Sequence, residues 1–335
     1  MSVATKRAEE MLLGFERRVK NKGGGGSYYS GGGKKKYSKP KADSGIKNFT
    51  AAANKKPEVM VKITSGSKGA KSLQNHLDYI GRNGKLSLET NDGEILTGKS
   101  QAKTIKERWL NQDMINGTGT ARQTLNLVLS LPAKTPPDII HAAARAFAQH
   151  VFSDHEYVMA LHTDTKHPHV HLCVTMQNRE GQRINPRKND LHEWRVLFAE
   201  KVREQGIDCA ATKRIHRGRT KKGLNSTVEN ISKRGGHSYV TAARRKSLVE
   251  AIQQNNRPIH PFLKEAVETN TILVTELSSL SRSLYQEGMK REARAVSKLA
   301  KELAENKHTT RAQSAFDAAS ERTNERNGEN LGMER

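Results

Sequence analysis

Apolar positions change period along this chain, and each change marks an element. In EVMVKIT, Val59, Val61 and Ile63 fall on alternate residues, the period of a half-buried strand. GSKGAKSLQNHLDYIGRNGK switches to helical spacing, with Leu73, Leu77 and Ile80 in one stripe and Gly81 and Gly84 as stop signals. TLNLVLSLP returns to period two, with Leu125, Leu127, Leu129 and Leu131 on one face and Pro132 ending the strand. PPDIIHAAARAFAQHVF predicts a helix opened by proline, with Ile140, Ala144, Phe147 and Val151 inward. EYVMALHTD and HVHLCVTMQ are strand-like. DLHEWRVLFAEKVREQG predicts a helix capped by Asp190, with Glu193 three residues later, a Trp194/Phe198/Val202 stripe and a closing Gly206.

Outside this core the texture differs. Residues 1–56 hold a short helix-like start, MLLGFERRV, and then NKGGGGSYYSGGGKKKYSKPK, which carries too little apolar surface to offset its ordering entropy. A disordered basic arm is expected there, with Tyr28, Tyr29 and Tyr37 interleaved among lysines as stacking candidates for single-stranded bases. From about residue 212 the chain turns basic and glycine-containing. Residues 258–306 then carry Leu263, Val267, Leu273, Leu277, Leu280, Leu284, Leu299 and Leu303 at helical spacing, and the last 25 residues read as frayed. The expected division is an arm over 1–56, a domain over 57–222, and a basic linker with helical accessory region over 223–335.

Charge changes the picture. A net charge of +23 in 335 residues implies a polyanionic partner, nucleic acid before others, because each phosphate neutralised releases condensed counterions. Two cysteines, Cys173 and Cys209, exclude a disulfide framework or a cysteine-rich zinc site and fit a reducing cytoplasm. No apolar run reaches membrane-spanning length, so no membrane insertion is expected. GSKGAKS invites comparison with a phosphate loop, but its spacing is not GxxxxGK[ST], which excludes nucleotide binding on that ground.

The chemistry concentrates in LHTDTKHPHVHLCV, residues 161–174, with four of the thirteen histidines inside ten positions. A tight hairpin turning at Thr165 and Lys166 would set Asp164 opposite His167 and His162 opposite His169. Opposed residues share a face, as do residues two apart. His162, Asp164, His167, His169 and His171 then share one side, and Leu161, Pro168, Val170, Leu172 and Val174 form a core face. Imidazoles about 5 Å apart can converge on one ion at about 2.1 Å per bond, and three histidines leave coordination positions open, as a catalytic metal requires. Asp164 fits an acceptor that fixes an imidazole tautomer. An ion with open positions can act on a phosphodiester as a Lewis acid, given a nucleophile. Tyr79, in LDYI, is a candidate, although taken alone it is an ordinary helix-face tyrosine.

LDYIGRNGKLSL, GAKSLQNHLDY before it and HTDTKHPHVHLCV after it, in this order and following a strand and a glycine/serine loop, resemble the conjugative relaxases of the tyrosine-dependent MobA/VirD type, over roughly residues 58–220. The resemblance implies an α+β fold of the HUH nuclease kind: a central antiparallel sheet with packed helices and the histidines on its exposed face. It implies attack by a tyrosine hydroxyl on one strand at an origin of transfer, leaving a 5′-phosphotyrosyl link and a free 3′-OH. By match of position, Tyr79 is the nucleophile, His162, His169 and His171 are metal ligands, and Asp164 orients the first histidine. His167 has no assignment. The family admits a His or an Asp as base, and the sequence does not choose among ligation by His162, proton transfer to it and assistance from Asp164. Mg²⁺ or Mn²⁺ is implied as the metal, although an all-nitrogen site favours later transition metals by intrinsic affinity.

Lys68, Lys71, Arg82, Arg183, Arg187, Arg214 and Arg217 are placed in sequence to contact DNA, Arg82 foremost because the family carries a basic residue there. Implied partners are single-stranded or supercoiled origin DNA, an accessory relaxosome protein and a type IV secretion coupling protein, with transport signals outside the nuclease. A rolling-circle replication initiator and a non-catalytic basic DNA-binding protein are the rival readings.

Overall fold

The structure, a computed structural model, describes residues 1–20, 37–133, 135–218 and 225–332. In chain order the elements are α1 (Val3–Lys20), α2 (Ser44–Ala53), β1 (Met60–Ser65), α3 (Ala70–Ile80), β2 (Leu88–Thr90), β3 (Ile95–Leu96), α4 (Gln101–Asn111), β4 (Thr124–Ser130), α5 (Pro137–Val151), β5 (Tyr157–His162), β6 (His169–Thr175), α6 (Lys188–Glu204), α7 (Ser226–Lys233), α8 (Tyr239–Gln253), α9 (Leu263–Gln286), α10 (Lys290–Ala304) and α11 (Arg311–Gly332). The chain divides into two compact units. One holds residues 1–212 and 278–299, and the other holds 213–277 and 300–335. This interleaved division differs from a simple boundary at 222.

The first unit is α+β. Its six-stranded sheet has the order β1-β4-β6-β5-β2-β3, with every neighbouring pair antiparallel. The hairpin β5–β6 therefore lies in the middle. Val158, Ala160 and Cys173 face one side, where they form a core with Leu73, Leu77 and Ile80 of α3 and with Ala102, Ile105 and Trp109 of α4. Residues of opposite parity, Met159, Leu172 and Val174 with Leu125, Leu127 and Leu129, are buried on the other side, where α5 meets β6 and α6 meets β1. Phe147 of α5 stacks edge-on against Phe198 of α6 at 5.8 Å. Each fully buried leucine in these layers contributes about 2 kcal/mol.

An ion pair with a buried carboxylate ties β2 to α5. Glu89 of β2 accepts from Arg145 of α5 through both oxygens, the Nη2 bond measuring 2.8 Å, and lies 3.0 Å from His141 Nε2. Burial pushes the Glu89 carboxyl up, but its bonds to Arg145 and His141 bring it to a net value below the ordinary carboxylate range.

Several sequence expectations need correction. The disordered arm over 1–56 fails at both ends. Ala4, Ala8, Met11, Leu12 and Phe15 make a buried face on α1, and Ile46, Phe49 and Ala51 make one on α2. His192 Nε2 of α6 lies 2.8 Å from the Leu12 carbonyl, and the Lys41 amide donates to Glu200. Two short amphipathic faces flank the glycine/lysine stretch, and its composition masks them. Residues 21–36, with Tyr28 and Tyr29, lie outside the described residues, while Tyr37 accepts from Trp194 Nε1 at 3.1 Å. Asp190 is not the cap of α6. It sits in the first turn, and its carboxylate accepts from the Arg187 amide at 2.8 Å. The expected frayed end is helical from Arg311, with Phe316 buried. In the second unit, Asn306 donates to the Gly218 carbonyl and Arg257 pairs with Asp317.

Candidate active site

Register places the histidines. In the β5–β6 ladder His162 pairs with His169 and Ala160 with His171, so the three rings share the face that α3 covers. Their centroids lie 4.4 to 5.1 Å apart. One nitrogen from each gathers within 4.8 Å of the others. Three nitrogens on one ion at about 2.1 Å can lie at most about 3.6 Å from one another, so side-chain shifts of about 1 Å complete a site.

Hydrogen bonds identify the donor atoms. His162 Nε2 lies 2.7 Å from the Ile80 carbonyl at the end of α3. A carbonyl only accepts, so this nitrogen carries the proton and Nδ1 keeps the lone pair. That Nδ1 is buried without a hydrogen-bond partner among the described residues. His169 Nδ1 lies 3.0 Å from the His167 carbonyl, which leaves Nε2 as its donor atom. His171 Nε2 is also buried and unpartnered. Unpartnered imidazole nitrogens on two of three clustered rings are what a divalent ion requires, and main-chain carbonyls set the tautomers of His162 and His169. Burial holds the His171 imidazole down to about 3, with His162, His169 and His76 adding to the effect. His162 is likewise lowered, mainly by burial. Both are neutral near pH 7, as ligation demands.

Tyr79 stands at the edge of this cluster. It follows the buried Leu77 by two residues on α3, which turns its ring outward, and it is 55% exposed. Its ring meets that of His171 edge-on at 5.7 Å and lies 6.4 Å from that of His162. The nucleophile candidate and the triad, 92 residues apart at His171, thus share one corner.

Beyond Tyr79 the backbone reverses through three left-handed residues: Arg82 (φ 51°), Asn83 (φ 53°) and Gly84 (φ 88°). Glycine takes this conformation freely and asparagine tolerates it, but Arg82 costs about 1 kcal/mol or more. At Gly84 a Cβ would also meet the Gly98 carbonyl carbon at 2.5 Å. The turn brings the Arg82 guanidinium to 5.3 Å from the Tyr79 ring centre and its Nη2 to 2.6 Å from Asp164 Oδ2.

Three expectations at the site change. The ladder ends at His162↔His169, and residues 163–168 form an open connection rather than a two-residue turn. His167 therefore leaves the shared face, and its Nδ1 accepts from the Ala133 amide at 2.9 Å. Asp164 does not orient His162, because its carboxylate is on Arg82 and His162 gives its N–H to Ile80. Nor is the histidine face open at the cluster, since His162 and His171 are buried beneath α3.

The cationic candidates scatter. Lys68 and Lys71 are exposed at the N-terminal side of α3, about 12 Å along the helix from Tyr79 in the case of Lys71. Arg183 donates to the Arg122 carbonyl beside the start of β4, at the opposite end of that strand from Ser130, which pairs with His169. Arg187 is exposed at the start of α6. Arg214 and Arg217 belong to the second unit.

Two residues escaped the sequence reading. His76 lies one turn before Tyr79, with ring centres 6.5 Å apart, a buried unpartnered Nε2 and a value lowered by burial to about 4. Its i, i+3 spacing from the tyrosine was the available signal. Lys62 pairs with Val128, which pairs with His171, so this exposed lysine lies on the same sheet face two strands away.

A tyrosine thus stands beside three clustered histidines, at the end of the central hairpin of an antiparallel sheet. Residues 79–207 match the family model described as relaxase, MobA/VirD2-like, nuclease domain. Curated relatives include the T-DNA border endonuclease VirD2 of Agrobacterium fabrum, 29% identical over 192 residues that cover 49% of this chain and 42% of the relative. VirD2 of Rhizobium rhizogenes is 29% identical over 188 residues, 48% of this chain and 42% of the relative. The chain thus spans less than half the length of these relatives. A solved chain described under the molecular basis of vancomycin resistance transfer in Staphylococcus aureus aligns with 47% of this chain and 99% of its own length, at 12% identity and a TM-score of 0.30. Among the described residues, no helix is long and apolar enough to cross a membrane.

Proposed function

We propose that this protein nicks one DNA strand at an origin of transfer, for conjugative transfer or mobilisation, with Tyr79 as nucleophile. The observation that carries the reading is the position of the exposed Tyr79 ring, 5.7 Å from the ring of the buried His171. The tyrosine hydroxyl attacks a backbone phosphorus. A bond forms between its oxygen and phosphorus, the bond from phosphorus to the 3′ oxygen breaks, and the 3′ oxygen leaves with a proton. The phosphotyrosyl link keeps the phosphodiester's energy, so reversal rejoins the strand.

Each residue has a task in this scheme. His162 Nδ1, His169 Nε2 and His171 Nε2 hold the divalent ion, Mg²⁺ or Mn²⁺ in use. When bound, the ion supplies positive charge to the non-bridging phosphate oxygens. Leu77 and Ile80 pin α3 so that the phenol stays over the cluster. Met60 and Lys62, both exposed on the same sheet face, offer the strand a floor and a phosphate contact. Lys68 and Lys71 extend the basic surface along α3, and Arg183, Arg187, Arg214 and Arg217 are contacts for flanking DNA. An accessory relaxosome protein and a type IV secretion coupling protein are the protein partners of this reading, which places the nicking step in the cytoplasm.

Incubation of the protein with Mn²⁺ and DNA carrying its own origin region tests the reading. A covalent adduct should form and map to the tryptic peptide of residues 72–82, and Tyr79→Phe should abolish it. An adduct that survives Tyr79→Phe, or maps elsewhere, refutes the assignment. Binding without any adduct favours the non-catalytic DNA-binding protein.

A further inference from the structure

The Arg82–Asp164 pair has no task in the scheme above, and its surroundings point to one. Both jobs that a carboxylate usually does for metal-binding histidines are already done by the main chain. The Ile80 carbonyl fixes His162, and the His167 carbonyl fixes His169. Asp164 instead engages Arg82 at 2.6 Å. With side chains 31% and 53% exposed, such a pair adds little to stability. Yet the chain adopts two left-handed non-glycine residues, one of them Arg82 itself, to bring this guanidinium back over Tyr79. Strain held without a return in stability gathers where geometry serves chemistry. Arg82 also keeps an Nε–H that is buried with no acceptor among the described residues. A guanidinium presents its N–H groups in a planar fork that suits two oxygens of one phosphate. Here one arm is occupied by a carboxylate and another N–H is idle, beside the attacking phenol.

We infer that Arg82 binds the phosphodiester that Tyr79 attacks, and that Asp164 is a positioning residue that holds the Arg82 guanidinium over the phenol rather than a residue of the metal site. The inference rests on the proposed nicking reaction and deepens it. As the Tyr79 oxygen bonds to phosphorus, negative charge grows on the non-bridging oxygens, and the Arg82 fork meets it without reorganising. Asp164 fixes the fork's orientation before DNA arrives. The carboxylate and the scissile phosphate are then two anions served by one cation, which stays on the same side of the Tyr79 ring throughout.

The test compares Asp164→Asn, Arg82→Gln, the double variant and Arg82→Gly with the wild-type chain. Two quantities are measured: the single-turnover rate of covalent adduct formation with Mn²⁺, and the Mn²⁺ dissociation constant without DNA. Arg82→Gln should slow adduct formation about 100-fold, as loss of one preorganised donor to a developing oxyanion does. Asp164→Asn should slow it about tenfold, and the double variant should be no slower than Arg82→Gln. The Mn²⁺ constant should stay within about twofold in all of them. Arg82→Gly leaves a residue at ease at this φ, so folding is spared. Millimolar guanidinium should restore part of its rate, which a merely structural arginine would not show. An Mn²⁺ constant weakened tenfold or more by Asp164→Asn would return Asp164 to the metal site and overturn the inference. So would multiplicative effects in the double variant, or a wild-type rate in Arg82→Gln. A wild-type chain that forms no adduct at all is a different result, and it removes the nicking reaction together with this deepening of it.

Discussion

Replacing His169 with alanine isolates the metal site from the fold. His162 and His171 are buried, so removing either ring leaves a hole in the core. His169 is partly exposed at the mouth of the hairpin, and its ring Nδ1 bonds to the loop carbonyl of His167. The metal-free variant should therefore melt close to the wild type. Loss of an orienting partner alone typically weakens a metal site by about 10- to 100-fold, so loss of a ligand should cost about 100-fold or more. At an Mn²⁺ concentration about 100 times the wild-type dissociation constant, binding stabilises the native state by about 2.7 kcal/mol. In a unit of roughly 230 residues that moves the melting temperature by about 5–10 °C. The variant, with its affinity 100-fold lower, would sit near half-saturation and gain only about 0.4 kcal/mol, or about 1 °C. Thermal melts in EDTA and then in Mn²⁺ read this directly. An equal upshift in both proteins would mean that His169 holds no ion, and the triad would fail as a site.

Two further outcomes test the scaffold. Glu89→Gln should destabilise the first unit by about 2 kcal/mol at pH 7 by breaking charge-assisted bonds to Arg145. Because the folded carboxyl lies below its unfolded value, this contribution is present above the ordinary carboxylate range and is lost as pH falls through the folded value; chemical denaturation of variant and wild type should therefore converge in acid, and a gap that widens there refutes the sign. Leu77→Ala should cost about 2–5 kcal/mol, since the side chain is fully buried between α3 and the sheet, and should lower nicking by freeing Tyr79; an unchanged denaturation midpoint would show that α3 is not held this way.

Periodicity alone makes much of the fold legible. The apolar stripes locate α3, α5 and α6, alternation locates β1 and β4, and the pairing of two strand-like runs brings His162, His169 and His171 to one face. The hairpin's turn was harder. Two-residue hairpin turns need residues at ease with positive φ, such as Asn-Gly, and Thr165-Lys166 offers neither, so the ladder stops earlier and His167 swings away. β2 and β3, three and two residues long, are too short for any period to show. The helices at 3–20 and 44–53 were obscured by averaging over the glycine/lysine stretch between them. The partner of Asp164 could not be read from its neighbourhood, because it depends on a left-handed turn 82 residues earlier in the chain.

The bond from His162 to the Ile80 carbonyl has a consequence for how this site drifts over evolutionary time. The tether between the tyrosine's helix and the imidazoles ends on a peptide oxygen, which every amino acid supplies. Position 80 can exchange one aliphatic side chain for another and the anchorage persists unchanged. Comparing sequences would register that position as ordinary hydrophobic filling, while the placing of Tyr79 over the three imidazoles depends on an atom that no codon change can delete.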